Sequence, residues 1–504
     1  MRGTMNSIFR PALVIAAGRG IALAITFVVP LIFARLLTQA QFGTYKQIFL
    51  IHATVYGIGL GLAESLFYFL PREPDRTGRY VGNSIALLSA TGIAGCLTLT
   101  IAREQVAAWF NNADFAALAP LIGLYVAVTL ASAPLEIVMI ARGCNRWAAT
   151  TYAISDILRA LFLLVPVMIS PRMDLLLAGS IVFGSLRLAF ALGFFRHEFS
   201  NELRPDFACL WKQLLYAGPL QMAVALQVLQ VNLHQYVVSY SFDAATFARY
   251  AIGCVHIPVF DLLAGSVLSV MMVQMTEGLK QGRKDLVLQI WSKTTRQLAF
   301  VFFPFIALLA VISTDLITAL FTDAYRPSVP LFRIWLLSYF FVTFQPHGVL
   351  RACGDTRFLA LQNLVKLVLV AVLIVPMISM FGVAGADWAA VLAAFGGKCI
   401  LLARVKQLNG VTSSQVLPWR SLAGIAAASL LAAIPAIVVG HNIESRMLRM
   451  FSVSGSYLLI YAAITAPFIW REEVCSVSYV LKRLLPGKSS ATTVEPVRLN
   501  SVGS

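Results

Sequence analysis

Leu37-Thr-Gln-Ala-Gln-Phe-Gly-Thr-Tyr45 separates two long apolar runs, and 205 residues later Phe242-Asp-Ala-Ala-Thr-Phe-Ala-Arg-Tyr250 does the same, with Ala, Phe and Tyr at matching places. Two further pairs follow in the same order. Arg142-Gly-Cys144 answers Arg351-Ala-Cys353, and Val165-Pro-Val-Met-Ile-Ser170 answers Val375-Pro-Met-Ile-Ser379. Their shared order and near-constant spacing mark an internal repeat. Six apolar runs separate the copies, an even number, so both enter a membrane in the same sense and are related by an axis along the membrane normal. Two parallel six-helix lobes around a central cavity is a transporter architecture, with the substrate site between the lobes.

Composition agrees. The 504 residues are 59% hydrophobic and 12% charged, with a mean hydropathy of +0.79. A soluble domain carries about 25% charged residues, so a soluble enzyme, a disordered chain and a disulfide scaffold are all excluded. The seven cysteines lie far apart with no CxxC, which indicates neither a metal site nor a disulfide framework. At about 20 apolar residues per crossing, the chain is read as an all-α integral membrane protein of about fourteen transmembrane helices. Residues 1–200 are expected to form the N-terminal six-helix lobe, 201–411 the C-terminal lobe, 412–471 two extra helices, and 472–504 a tail. The first run is expected to be an uncleaved helix rather than a signal peptide, and span eight is drawn as one crossing from Phe247 to Met275.

Alternate connections differ in charge. With the N-terminus inside, 25 basic residues fall on the inner side and 9 on the outer. Cytoplasmic loops retain Lys and Arg, so both termini are expected in the cytoplasm of a bacterial cell, and the net charge of +16 reflects topology rather than a nucleic-acid partner. Thr276 to Lys293 sets Leu279, Leu286, Ile290 and Trp291 against four basic residues, as a helix lying on an anionic leaflet would. The tail from Glu473 to Leu485 shares that character.

Three segments carry a resemblance to a known family: Ala34-Arg-Leu-Leu-Thr-Gln-Ala-Gln-Phe-Gly-Thr-Tyr45, Leu350-Arg-Ala-Cys-Gly-Asp-Thr-Arg357 and Phe381-Gly-Val-Ala-Gly-Ala386. The chain resembles the polysaccharide-export branch of the multidrug/oligosaccharidyl-lipid/polysaccharide (MOP) flippase superfamily, the O-antigen (Wzx-type) flippases, from Arg10 to Trp470. That resemblance implies movement of an undecaprenyl-pyrophosphate-linked oligosaccharide from the inner to the outer leaflet by alternating access. It also implies membrane lipids as surroundings, with a polysaccharide polymerase and chain-length regulator as candidate neighbours. No cofactor, metal or catalytic residue is expected.

Ionisable groups inside a span are costly and are candidates for function. Arg19, Arg159, Arg187 and Lys366 lie about 8 to 11 residues from the inner end of their spans, about 12 to 16 Å deep at the helical rise. If they face the cavity they form a cationic belt for a pyrophosphate, and arginine's fork suits phosphate. Each has a structural alternative. Asp156 stands one turn from Arg159, while Arg187 and Lys366 have Glu64, Glu136 or Asp261 as possible partners. Those carboxylates, with His52 and His256, are either charge partners or carriers of coupling ions. Lys398 is expected to snorkel to the headgroups. Gln227, Gln230, Asn232 and His234 either bind sugar hydroxyls or join helices, and Pro258, Pro304 and Pro376 are expected kinks. The rival within the superfamily is cation-coupled multidrug efflux, which needs unpaired acidic residues in a lobe. A membrane polymerase or ligase would need long outer loops and a catalytic constellation, neither of which is present in the sequence.

Overall fold

The computed structural model describes Ile25, residues 27–199 and residues 202–466. These residues are helical nearly throughout, and no strand occurs among them. The first copy comprises α1 (Phe27–Leu36), α2 (Gln39–Glu64), α3 (Leu66–Arg72), α4 (Thr77–Ile101), α5 (Arg103–Trp109), α6 (Asp114–Ala131), α7 (Pro134–Ala141), α8 (Asn145–Ile169) and α9 (Met173–Phe199). The second comprises α10 (Phe207–Ser241), α11 (Ala244–Gly253), α12 (Pro258–Lys280), α13 (Lys284–Phe321), α14 (Val329–Val342), α15 (Pro346–Ala352), α16 (Thr356–Phe381) and α17 (Val383–Asn409). A short turn, α18 (Ser413–Val416), leads to α19 (Trp419–His441) and α20 (Arg446–Thr465).

Twelve spans among the described residues are long and apolar enough to cross a bilayer, and α10, bent by 42° at Pro219, makes a thirteenth. The remaining expected crossing is represented by α1; the rest of it, including Arg19, lies outside the described residues, as does the tail. The flanks of α4, α8, α16 and α19 leave Ile93, Leu97, Leu161, Val372, Val375 and Leu431 exposed. Such a coat is stable only against lipid, because in water it would be an aggregating patch.

Four crossings are interrupted. α2 gives way to α3 at Ser65, α6 to α7 before Pro134, α11 to α12 before Pro258, and α14 to α15 before Pro346. Proline is accepted at the first helical position, where its missing N–H would be unpaired anyway, and it disfavours a helical backbone in the preceding residue: Ile257 and Gln345 have left the helical region, whereas Ala133 before Pro134 stays in it. Span eight is therefore not the continuous helix expected over Phe247–Met275. Ile257 is extended, and the side chain of Tyr339 closes the gap: its hydroxyl accepts from the Ile257 N–H at 2.8 Å and donates to the Val255 carbonyl at 3.3 Å. Pro304 and Pro376 lie inside α13 and α16.

The segment expected to lie flat on the leaflet does not. α12 runs to Lys280, the chain turns through Gly282 at φ +75°, and α13 starts at Lys284. Trp291 is fully buried in a cluster with Met271, Val287, Leu350, Leu401 and Val405, so its apolar face seals a helical hairpin instead of entering lipid.

Hydrogen bonds at two turns show the repeat at atomic level. Arg142, Gly143 and Cys144 donate to the carbonyls of Val138, Ile140 and Met139 at 2.8–2.9 Å; Cys353, Gly354 and Asp355 donate to Val349, Arg351 and Leu350 at 2.9–3.1 Å. Every donor and acceptor is displaced by 211 residues. Gly143 and Gly354 take φ of +77° and +78°, a backbone that side chains with a Cβ disfavour. The structural register thus pairs Arg142 with Cys353, two places from the alignment that matching cysteines suggests.

The copies meet where the opening motifs lie. Thr38 caps α2 by accepting from the Gln41 N–H at 3.3 Å, and Asp243 caps α11 by accepting from the Thr246 N–H at 3.3 Å. There α2 and α11 cross so closely that a Cβ on Gly43 would overlap the Ala244 carbonyl. α19 and α20 pack on α13 as an appendix, with the Tyr461 hydroxyl donating to the Phe300 carbonyl at 3.0 Å.

Candidate functional site

Between α2, α6, α7, α8 and α9 the first copy encloses a cavity of about 490 Å³. Six of the residues singled out in the sequence line it: His52 and Glu64 from α2, Asp156 and Arg159 from α8, Glu136 from α7 and Arg187 from α9. Helical spacing explains the convergence on α2 and α8, since His52, Tyr56, Leu60 and Glu64 repeat every four residues and so do Tyr152 and Asp156.

Both arginines are paired. Arg159 meets Asp156 at 2.6 Å. Arg187 reaches Glu136 at 2.6 Å and donates from Nε to the Ser132 hydroxyl at 3.2 Å. The second pair is the drier, at 16% and 3% exposed against 31% and 17%. The Oε1 oxygen of Glu136 is buried and has no partner among the described residues. Glu64 is exposed to the cavity and makes no ion pair among them. His52 lies between Tyr56, stacked at 5.5 Å, and Tyr125, stacked at 4.5 Å, and bonds the Thr129 hydroxyl through Nε2 at 3.2 Å. Two arginines thus face three carboxylates around an aromatic wall.

The other sequence candidates stand elsewhere. Lys366 is on α16 in the second copy, its aliphatic chain packed against Gly397 of α17. Asp261 pairs with His256 at 3.2 Å, both more than half exposed. Asn232 donates to Thr54 at 3.0 Å and His234 Nδ1 meets the Tyr250 hydroxyl at 2.6 Å, so this part of the polar stripe joins helices. Among the described residues no group of three His, Cys, Asp or Glu could hold a metal ion.

Lys398 is a correction. Its ammonium donates to the Phe344 carbonyl at 2.7 Å instead of reaching the headgroups. The interruption after α14 leaves carbonyls without helical partners, and a cation at that negative end is favourable. Lys398 is Arg187 displaced by 211 residues, and Thr343 answers Ser132. Each copy thus uses a cation on its last helix to bind the broken helix, a role that sequence depth alone did not reveal.

Comparison with known proteins follows the same lines. The family described as "Polysaccharide biosynthesis protein" matches residues 32–330, more than half of the chain. The chain belongs to that family. Among solved structures, a lipid II flippase, MurJ, in an inward closed conformation superposes with a TM-score of 0.73 at 14% identity, covering 90% of this chain and 99% of that one. A MATE transporter of Vibrio cholerae in the bent form gives 0.51 at 11% identity over 80% and 97% of the two chains. A MOP superfamily transporter from Pyrococcus furiosus gives 0.52 at 12% identity over 79% and 94%. At these identities the likeness concerns the fold, which this polysaccharide biosynthesis protein shares with the MOP superfamily. No curated protein matches the chain at the sequence level.

Proposed function

We propose that the chain flips a lipid-linked oligosaccharide, an undecaprenyl-pyrophosphate glycan, from the cytoplasmic to the outer leaflet of the bacterial inner membrane, with both termini in the cytoplasm. The observation that carries the reading is membership of the polysaccharide biosynthesis family: a hydrophilic glycan is costly to bring into hydrocarbon, and a membrane-embedded member of that family is read as moving it across on a lipid carrier. Supporting it, the cavity holds what a glycan diphosphate needs. Arg159 is partly exposed and can exchange Asp156 for a phosphate, because a guanidinium fork binds two anionic oxygens. Tyr56, half-buried at the end of the His52 stack, offers a ring and a hydroxyl for a sugar. On the opposite copy Lys366 supplies a cation that no carboxylate pairs with among the described residues. Domain limits at residues 200 and 411 fit this two-lobe reading. The process is transport without bond chemistry.

One observation favours a second reading. Glu64 stands in the cavity without an ion pair among the described residues, and an unpaired acid is what cation-coupled drug efflux requires. A strain lacking the gene separates the two. Loss of surface polysaccharide with lipid-linked repeat units accumulating inside supports the flippase; unchanged polysaccharide with altered sensitivity to cationic compounds assigns efflux.

A further inference from the structure

We infer that Asp387 is a reversible proton-binding site in the second copy, reached through the break between α11 and α12, and that its proton is the coupling ion of transport; the coupling part rests on the transport reading above. Asp387 lies one turn inside α17 and is 0% exposed. Its Oδ1 accepts a hydrogen bond from the Cys254 thiol at 2.8 Å, and its Oδ2, also buried, has no partner among the described residues. A carboxylate taken out of water without a counter-charge holds a proton instead. Nothing in the cavity of the first copy makes use of this group.

Its surroundings identify the ligand. From α11 come Tyr250 and, at its end, Cys254; from α10 comes His234, bonded to Tyr250 and tilted against the Trp335 ring of α14 at 5.3 Å. α14 also supplies Tyr339, and α12 carries Asp261, held at the exposed side by His256. α16 presents the Met377 backbone, against which Gly385 packs. A thiol, a phenol and an imidazole around one carboxyl suit a proton. A hard cation such as sodium, magnesium or calcium would want a shell of oxygens.

The break adjoins a second cavity. Val255 and His256, the residues after Cys254, line a separate cavity of about 160 Å³ with Lys46 and Pro258. The backbone that follows Cys254 thus borders this cavity, and two hydrogen bonds to Tyr339 hold it in place. Ionised Asp387 favours the state in which the break opens to water; protonated Asp387 favours the closed state. A ligand with such differential affinity shifts the balance between conformations.

The test is an infrared pH titration of the full chain in lipid nanodiscs. A carbonyl-stretch band of a protonated carboxyl is expected, lost as the pH rises, shifted in deuterium oxide and absent in Asp387→Asn. A band that persists into alkaline pH, or none at any pH, overturns the inference. Should Asp387→Asn fail to fold, Cys254→Ser must move the band, and an unmoved band has the same meaning. In proteoliposomes with a pH-sensitive dye, an imposed pH gradient should drive proton movement that Asp387→Asn loses and a sodium gradient does not replace. Movement unchanged in the variant, or driven by sodium alone, overturns the coupling role. If Asp387 titrates and moves protons while surface glycan is untouched by gene loss, the glycan reading fails and the proton site stands.

Discussion

Glu136 and Arg187 sit opposite each other at the dry end of the cavity, and the balance at that pair is unequal. Removing one partner of a buried ion pair leaves the other as an uncompensated charge, at about 3–5 kcal/mol, while replacing both by apolar groups is often neutral. Glu136→Gln should therefore lower the unfolding temperature markedly, and Glu136→Gln with Arg187→Met should recover most of the loss; a fluorescence melt of the purified variants reads both. Arg159 is different because it is more open. Arg159→Gln leaves Asp156 more open to the cavity than Glu136→Gln leaves Arg187, so it should lower the melting temperature less than Glu136→Gln does. Glycan export should nevertheless fall by about tenfold, which corresponds to one charge-assisted hydrogen bond of about 1.5 kcal/mol. A further residue acts outside the membrane. The Asp206 carboxyl caps α10 at the Cys209 N–H and pairs with Arg79 at 2.7 Å, and these contacts, the cap first, hold it below the usual carboxylate range. Its folded pKa is depressed, so the stability it adds is complete above the unfolded value and is lost as the pH falls through the folded one. Asp206→Asn, which keeps a capping oxygen, should flatten that acid limb in a melt-versus-pH series.

At the scale of elements the functional parts are the interruptions. Tyr339→Phe removes the one hydroxyl that serves both the Ile257 N–H and the Val255 carbonyl. Leaving buried backbone groups unpaired costs about 1–3 kcal/mol each, so the variant should lose stability and its α11–α12 amides should exchange faster with deuterium. Pro258 made a kink there legible in the sequence, yet the full break was not, because apolar residues on both sides read as one crossing and hydrogen-bond partners from α14 are distant in sequence. The spans themselves were legible, since hydrophobic runs of membrane length leave few alternatives. So was the repeat, although its register was not: matched cysteines at 144 and 353 drew the alignment two places away from the turn that Gly143 and Gly354 share. Depth along a helix is readable and direction around it is not. That is why Arg187 remained open to three carboxylates until α7 placed Glu136 beside it, and why Lys366 and Arg159 were grouped although they stand in different copies. Asp387 escaped notice for a related reason: one turn from the end of its span, it looks like a headgroup charge until α11 and α14 are packed over it.

For the whole molecule, alternating access requires the copies to part at one end while they hold at the other. Contacts join the copies at both ends, Arg79 to Asp206 and Gln213 to Ser65 at the basic one, and a second set at the end carrying few basic residues. Arg35 donates to the Ala319 carbonyl at 2.5 Å, Gln39 to the Ala324 carbonyl at 2.6 Å and Gln47 to the Ser239 hydroxyl at 2.7 Å, all beside the Gly43–Ala244 crossing. Little freedom exists there, because the α2 backbone rests on α11 and a packed interface is bistable rather than continuously deformable. Gly43→Val places side-chain atoms where the Ala244 carbonyl stands, and the copies can accommodate them only by separating at this end. Ser239, 0% exposed, reports the change. In a background with the native cysteines replaced, Ser239→Cys should resist a water-soluble maleimide, and adding Gly43→Val should make it react at least several-fold faster. Equal rates would mean that the end holding Gly43 does not open as a unit, and the closing contacts would have to be sought at the basic end, where Gln213 donates to Ser65 and Ser84 at 2.7–2.8 Å.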